Sequence, residues 1–351
     1  AYYLDRDSAL AAQNDYTTKA VQLTPGGPFV NEQFKPTDIR KQYGVGVDGP
    51  IIQDKLFFFL SADRYYHYFP AVGVASNPTL FFAAPSASLP TGFTCPGGAT
   101  PITSANDSTF TADSNVCTLQ TNLALPSYSA AYTDYNSGLA GLNGMLGAGL
   151  RYADQTIYFP KVDWQINAKN HASFEVNRLR FSSPGGQQTN ATATYGLESF
   201  GDIYVKDSWG IAKLDTFITS NMSNEVRYQY GRDFNLGHNM PATAYETATL
   251  LKSPTYTNPN GIPPAVAITN GFTFGTPTFY NRPAYPDERR WQVSDTVQWT
   301  HGNHNFKFGE DYIHTYDLSE NLTSVFGSYS YSSVANYLTD YYAVSYTHLR
   351  A

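Results

Sequence analysis

The chain has 351 residues, enough to bury a sizeable core, but charged residues make up only 15% of it against roughly 25% in typical soluble domains. Aromatic residues reach 15%, through 28 Tyr, 22 Phe and 4 Trp, while Cys is 2 and Lys+Arg is 22 against Asp+Glu 29. That balance excludes a disordered chain, a disulfide-dense scaffold and a nucleic-acid binder with a basic excess, and no apolar run nears the about 18 residues of a membrane helix.

The first residue is Ala1, with no charged n-region and apolar h-region behind it, which predicts a processed or internal start. Residues 1–40 show no clear pattern. Residues 43–52 and 56–68 read as strands around the polar turn Gln53-Asp54-Lys55. The next pair, 157–166 and 171–181, turns at Asn167-Ala168-Lys169-Asn170. A third, 213–222 and 225–235, turns at Ser223-Asn224, and a fourth, 290–300 and 305–316, at His301-Gly302-Asn303-His304. Residues 344–351, from Val344 to Ala351, resemble the translation of a sequencing-library adapter. They are set apart as a foreign tail, and His348 and Arg350 carry no functional weight.

Between the hairpins lie long stretches rich in Pro, Ser, Gly, Asn and Thr, at 69–156, 182–202 and 236–288. Structureless loops beyond about 12–15 residues are uncommon in compact soluble domains. A transmembrane β-barrel makes them ordinary, with short turns at one end and long extracellular loops at the other. The strands alternate accordingly. Val162, Trp164 and Ile166 oppose Lys161, Asp163 and Gln165; Val226, Tyr228 and Tyr230 oppose Arg227 and Gln229; Trp291 and Val293 oppose Gln292 and Ser294. Arg64, Arg232, Asp295 and Glu310 break the pattern by falling on apolar faces, where each is tolerable only near a membrane interface or in a bulged register. A soluble β-sandwich would alternate in the same way and stays open as an alternative.

One segment carries a specific resemblance. Tyr43-Gly44-Val45-Gly46-Val47-Asp48-Gly49-Pro50-Ile51-Ile52-Gln53-Asp54-Lys55-Leu56-Phe57-Phe58-Phe59 resembles the early-barrel hairpin of the TonB-dependent receptors of the Oar-like group. Asp48 stands where that group has Gly, and Gln53 where it has Lys. Asp63-Arg64-Tyr65, the stretch Phe159-Pro160-Lys161-Val162-Asp163-Trp164, and Phe306-Lys307-Phe308-Gly309-Glu310-Asp311-Tyr312 resemble later strands of the same group, with Glu310 replacing a Gly. The motif residues are Gly49, Pro50, Ile51, Ile52, Asp54, Lys55, Leu56, Phe57, Phe58 and Phe59. Pro50 cannot donate to a ladder, so it belongs near a strand end, and Asp54-Lys55 forms a polar turn.

The resemblance implies an all-β fold: an antiparallel transmembrane β-barrel segment with long extracellular loops, part of a barrel of about 22 strands. Residues 41–343 would be barrel, and 1–40 the plug-to-barrel junction or first strand. The group's full form adds a carboxypeptidase-regulatory-like domain and a plug. Its setting is the outer membrane of a Gram-negative cell. The partners implied are the TonB complex acting through the plug, outer-membrane lipid, and a solute of unknown identity, an oligosaccharide or peptide; no nucleic acid and no cofactor is implied. The function expected is energised uptake of a bulky solute. The alternatives are adhesion or export on the same scaffold, or a soluble secreted β-sandwich that binds carbohydrate.

In such a loop, matured in an oxidising compartment, Cys95 and Cys117 are expected to form a disulfide, whose loop closure contributes about 3 kcal/mol. Two Cys alone do not make a structural zinc site. His301, His304 and His314 read as turn and strand histidines rather than metal ligands, and no metal site is assigned. Asp202, Asp207, Asp215, Asp287 and Glu288 form no catalytic motif, so no catalytic residue is named and the chain is not expected to be an enzyme. Phe81, Phe82, Tyr128, Tyr132, Tyr135, Phe279, Tyr280 and Tyr285 fit two readings equally: stacking on a ligand, or packing the loops together. No ligand-binding residue is assigned.

Overall fold

The computed structural model describes residues 1–10, 18–22, 29–33, 35, 37–69, 71–98, 101–104, 109–149, 151–186, 192–238, 240–251, 261–277, 287–319, 324 and 326–348. In chain order, β1 (Tyr2–Asp7) precedes the hairpin β2 (Thr18–Gln22) and β3 (Phe29–Gln33), then β4 (Ile39–Ile52) and β5 (Leu56–Tyr68). A long insertion carries β6 (Ala71–Gly73), α1 (Pro78–Phe81), α2 (Phe110–Asn122), α3 (Tyr128–Gly144) and β7 (Gly147–Gly149). Next come β8 (Tyr152–Asn167), β9 (Asn170–Pro184), β10 (Thr192–Ala193), β11 (Asp202–Thr219) and β12 (Met222–His238). Then α4 (Ala244–Ala248), β13 (Ala265–Ile268) and β14 (Thr273–Phe274) lead to β15 (Asp287–His301), β16 (His304–Leu318), β17 (Ser328–Tyr331) and α5 (Val334–His348).

Nine strands form one sheet in the order β1-β4-β5-β8-β9-β11-β12-β15-β16, each antiparallel to its neighbours. Its two edges, β1 and β16, are not paired to each other among the described residues. Four tight turns lie at one end. The Asn167 side chain fixes one of them by accepting from the backbone N–H groups of Lys169 (2.9 Å) and Asn170 (3.0 Å). Gly302 takes φ +59 in another, the left-handed conformation that glycine adopts without strain.

The third turn differs from the sequence expectation. It falls at residues 220–221, because β11 ends at Thr219 and β12 begins at Met222. Both Ser-Asn pairs in this stretch are turn-competent, so local chemistry cannot choose between them. Register decides: Leu214 lies opposite Val226, and Ala212 opposite Tyr228. A turn at Ser223-Asn224 would put Leu214 against Asp233 and mix the two faces. Asn221 also ties the turn to the next hairpin, donating to the carbonyl of Thr300 (2.8 Å).

At the other end, the long insertions are not structureless. The first also ends earlier than expected, since residues 152–156 belong to β8. The insertions fold together into a cap. Helices α2, α3 and α5 pack with one another and with the small sheet β14-β13-β17, and the cap holds a second small sheet, β10-β6-β7. Its core draws Phe81 and Phe82 from the first insertion, Leu250, Val266 and Phe274 from the third, and Tyr337 and Leu338 from α5. Polar groups reinforce it. Asp113, fully buried, accepts from the backbone N–H of Ser86 (2.6 Å) and the hydroxyls of Tyr128 (2.8 Å) and Thr109 (2.8 Å). No helix among the described residues is long and apolar enough to cross a membrane.

Candidate functional site

Strand pairing assigns every sheet residue to a face, since directly opposed residues point the same way. One face is apolar over most of its height. A row across it reads Phe58, Val162, Phe174, Ala212, Tyr228, Val293 and Tyr312. Among the described residues no second layer covers these side chains: Phe174 is 53% exposed and Tyr312 59%. A sheet with so much uncovered aromatic and aliphatic surface is suited to an apolar solvent.

The opposite face is polar and carries a chain of ion pairs near the turns. Lys161 pairs with Asp163 (3.2 Å), and His171 lies between Asp163 (3.8 Å) and Asp215 (3.4 Å). Lys213 bridges Asp215 (3.0 Å) and Glu225 (3.2 Å), and Arg227 holds Glu225 (2.9 Å). Just above, an aromatic line runs from Phe59 to Phe159 (6.1 Å between ring centroids) and on to Trp209 (6.2 Å). The arrangement offers a polar solute both ionic partners and flat surfaces for stacking.

The four residues that break the alternation have partners or places. Arg64 makes a bidentate pair with Asp154 on its own face, and Arg232 does the same with Asp287 (2.7 and 2.9 Å). Both pairs lie toward the cap, away from the middle of the apolar band. Asp295 accepts a hydrogen bond from Asn224, and Glu310 opposes it on the edge strand.

Gly49, Pro50, Ile51 and Ile52 end β4, Asp54 and Lys55 form the turn, and Leu56, Phe57, Phe58 and Phe59 open β5. A register shift between Pro50 and Ile52 absorbs the proline at the strand end. Asp54 takes φ +58 in the turn. Cys95 and Cys117 are bonded in the cap, which ties the segment before α2 to that helix.

His301 and His304 oppose each other beside the last turn, whereas His314 stacks on Trp291 farther up the sheet (5.7 Å). Among the described residues no three His, Cys, Asp or Glu side chains converge for a metal ion. The acids named from sequence are dispersed: Asp202 accepts from Gly185 N–H (3.0 Å), Asp207 opposes Asp233, Glu288 opposes Asp317, and Asp215 belongs to the ion-pair chain. Of the loop aromatics, Phe81, Phe82 and Tyr135 are core residues of the cap, with Tyr128 and Tyr132 packed against them. For these, packing is the structural role. Phe279, Tyr280 and Tyr285 lie outside the described residues.

One group escaped the sequence reading. Glu198 and Glu246 meet inside the cap, from two different insertions. Glu246 has its donors: Gly275 N–H (2.7 Å), Thr243 N–H (2.8 Å) and the Thr243 hydroxyl (3.0 Å). Thr243-Ala244-Tyr245-Glu246 is a helix capping box, a signal that was readable in sequence. Glu198 is 8% exposed, and burial together with the adjacent Glu246 carboxylate pushes it up to about 9. It therefore holds a proton at neutral pH, and burial raises Glu246 as well, against the donors that favour its charged form.

Between about pH 4.5 and 9 the folded cap binds a proton that the unfolded chain releases, so cap stability falls as pH rises through this window. Glu198→Gln keeps the neutral form and should raise the cap's melting temperature by about 10 °C or more at pH 8 while leaving it unchanged at pH 4. A melting series across pH that stays parallel for both proteins would contradict the buried proton.

A family model described as an outer membrane beta barrel domain matches residues 1–350. No curated protein matches the chain. Among solved structures it is similar to the outer membrane transporter YddB from Escherichia coli, at 9% identity and a TM-score of 0.39, over 80% of this chain and 26% of that one. It is also similar to the CymD monoaromatic hydrocarbon channel, at 10% identity and a TM-score of 0.27, over 85% of this chain and 63% of that one. The chain thus spans less than two thirds of either protein. The soluble sandwich alternative falls, because among the described residues no second sheet packs on the apolar face of the nine-stranded sheet and the family match extends over nearly the whole chain. A sheet with one lipid-suited face and one charged face is what a barrel wall requires, and the chain belongs to the outer membrane beta barrel domain family, its strands forming part of a barrel in the outer membrane.

Proposed function

We propose that the chain is the barrel part of a TonB-dependent transporter, in which the charged face lines the path of a bulky polar solute and the cap meets that solute first. The observation that carries the reading is the inner face itself: ion pairs from Lys161 to Arg227 beside the Phe59–Phe159–Trp209 line. An oligosaccharide or a peptide has the polar groups and flat faces to use both. The hairpin through Gly49-Pro50-Ile51-Ile52 and Leu56-Phe57-Phe58-Phe59, with its resemblance to Oar-like receptors, supports energised rather than passive transport. In this reading residues 41–343 are barrel wall, residues 1–40 contribute its first strand or the junction to a plug, and 344–351 are foreign. The TonB complex acts through the plug.

Uptake of a fluorescent oligosaccharide or peptide library by cells carrying the protein tests this directly. Uptake should stop when a protonophore collapses the inner-membrane gradient. Uptake that persists under the protonophore would make the protein a passive channel. Surface binding without entry would favour adhesion, a second reading supported by the cap having a packed core of its own.

A further inference from the structure

The apolar face carries a groove that solute transport does not use. Along β11 its outward residues are Lys206, Ser208, Gly210 and Ala212, three of them small. The neighbouring strands put larger side chains on both sides: Arg178 and Arg232 flank Ser208, while Val176 and Phe174 from β9 and Tyr230 and Tyr228 from β12 flank Gly210 and Ala212. The small residues therefore make a floor and the larger ones make walls. Two hollows of about 620 and 440 Å³ follow one another down this line. From Lys206 to Leu214 it runs for about 26 Å at about 3.3 Å per residue, the scale of an extended fatty acyl chain.

The end of the groove nearest the cap has a different chemistry. Arg180, Lys206 and Arg232 line the upper hollow together with Ser208. The Phe234 ring gathers two of these cations, the Lys206 ammonium at 5.8 Å and the Arg232 guanidinium at 5.3 Å. Arg180 is oriented by donating to Ser208 Oγ (3.0 Å) and to the carbonyls of Leu179 (2.6 Å) and Asp207 (3.2 Å), all with one of its terminal nitrogens. Asp287 offsets one positive charge through its pair with Arg232. The hollow keeps a positive excess at the top of an apolar channel that faces lipid.

We propose that this groove holds a membrane lipid with a phosphate headgroup, the phosphate among Arg180, Lys206 and Arg232 and an acyl chain along Ser208, Gly210 and Ala212. Charge complementarity selects the anionic headgroup, and the apolar walls select a lipid over a soluble phosphate. The site is on the outer surface of the barrel wall, so lipid there would steady β9, β11 and β12 beneath the cap without blocking the inner face.

The test uses the 351-residue chain in neutral detergent micelles, with native mass spectrometry to count retained lipid. Dipalmitoyl phosphatidic acid and dipalmitoylglycerol differ only in the phosphate, and inorganic phosphate serves as competitor. The chain should retain the phosphatidic acid at least tenfold better than the glyceride. Arg180→Gln/Lys206→Gln should weaken that binding roughly 30-fold, while Lys169→Gln/Lys307→Gln, which removes the same charge from a turn and the other face, should not change it. Gly210→Leu, which fills the floor without backbone strain, should release the lipid with the cations intact. Strand content by circular dichroism confirms that each variant is folded. Equal retention of both lipids, no effect of Arg180→Gln/Lys206→Gln in folded protein, or displacement of the lipid by an equal concentration of inorganic phosphate would each overturn the proposal.

Discussion

Val293→Arg is expected to lower the stability of the membrane-inserted sheet by about 2–4 kcal/mol, whereas Ser294→Arg, one residue on, should change it by less than about 1 kcal/mol. Both positions lie in the middle of β15. Val293 points to the apolar face between Tyr228 and Tyr312, so a guanidinium there would lie in hydrocarbon. Ser294 points to the charged face between Arg227 and Asp311, where water and a carboxylate are at hand. The denaturant midpoint of the protein in phosphatidylcholine vesicles reads the difference. Equal effects at the two positions would mean that the faces have been assigned the wrong environments, and the account of the inner face would go with them.

The second large effect belongs to the cap. Phe274 is fully buried, packs edge-on against Tyr337 (5.4 Å) and lies 5.6 Å from the Phe272 ring. Phe274→Ala should destabilise the cap by about 3–5 kcal/mol, through lost transfer energy and the cavity left behind. Because the core joins distant insertions, the loss should spread. Amides in α3 and α5 should exchange faster with solvent together, while those of β11 and β12 keep their protection. Faster exchange confined to the immediate neighbours of Phe274 would show that the insertions do not share one cooperative core.

The hairpins were readable because their determinants are local. Asn167 to Asn170 and His301 to His304 carry turn chemistry within a few residues, and Leu56 to Tyr68 was bounded correctly at both ends. Where two local choices were equally good, as with the two Ser-Asn pairs after Phe217, only the pairing of Leu214 with Val226 settled the turn. The apparent misfits Arg64 and Arg232 had the same cause. Their partners Asp154 and Asp287 are far away in sequence and adjacent only across the sheet.

Composition, the period of two and the turn residues by themselves determined a β protein with one apolar and one charged face, short turns at one end and long insertions at the other. Those signals arise between residues one to four positions apart, so they survive without any tertiary context. The cap has local signals for single helices, such as the Thr243–Glu246 capping box, but none for its assembly. Its core brings Phe82, Leu142, Phe274 and Leu338 together from segments separated by whole hairpins; Ala131, Tyr135, Leu139 and Leu142 recur at helical spacing, but the hydrophobic effect is non-directional and nothing local says which segments that helix packs on. The Glu198–Glu246 pair and the cationic groove over β11 likewise exist only once strands and insertions are side by side. Their chemistry depends on burial and on neighbours across the fold, and only the tertiary structure decided either.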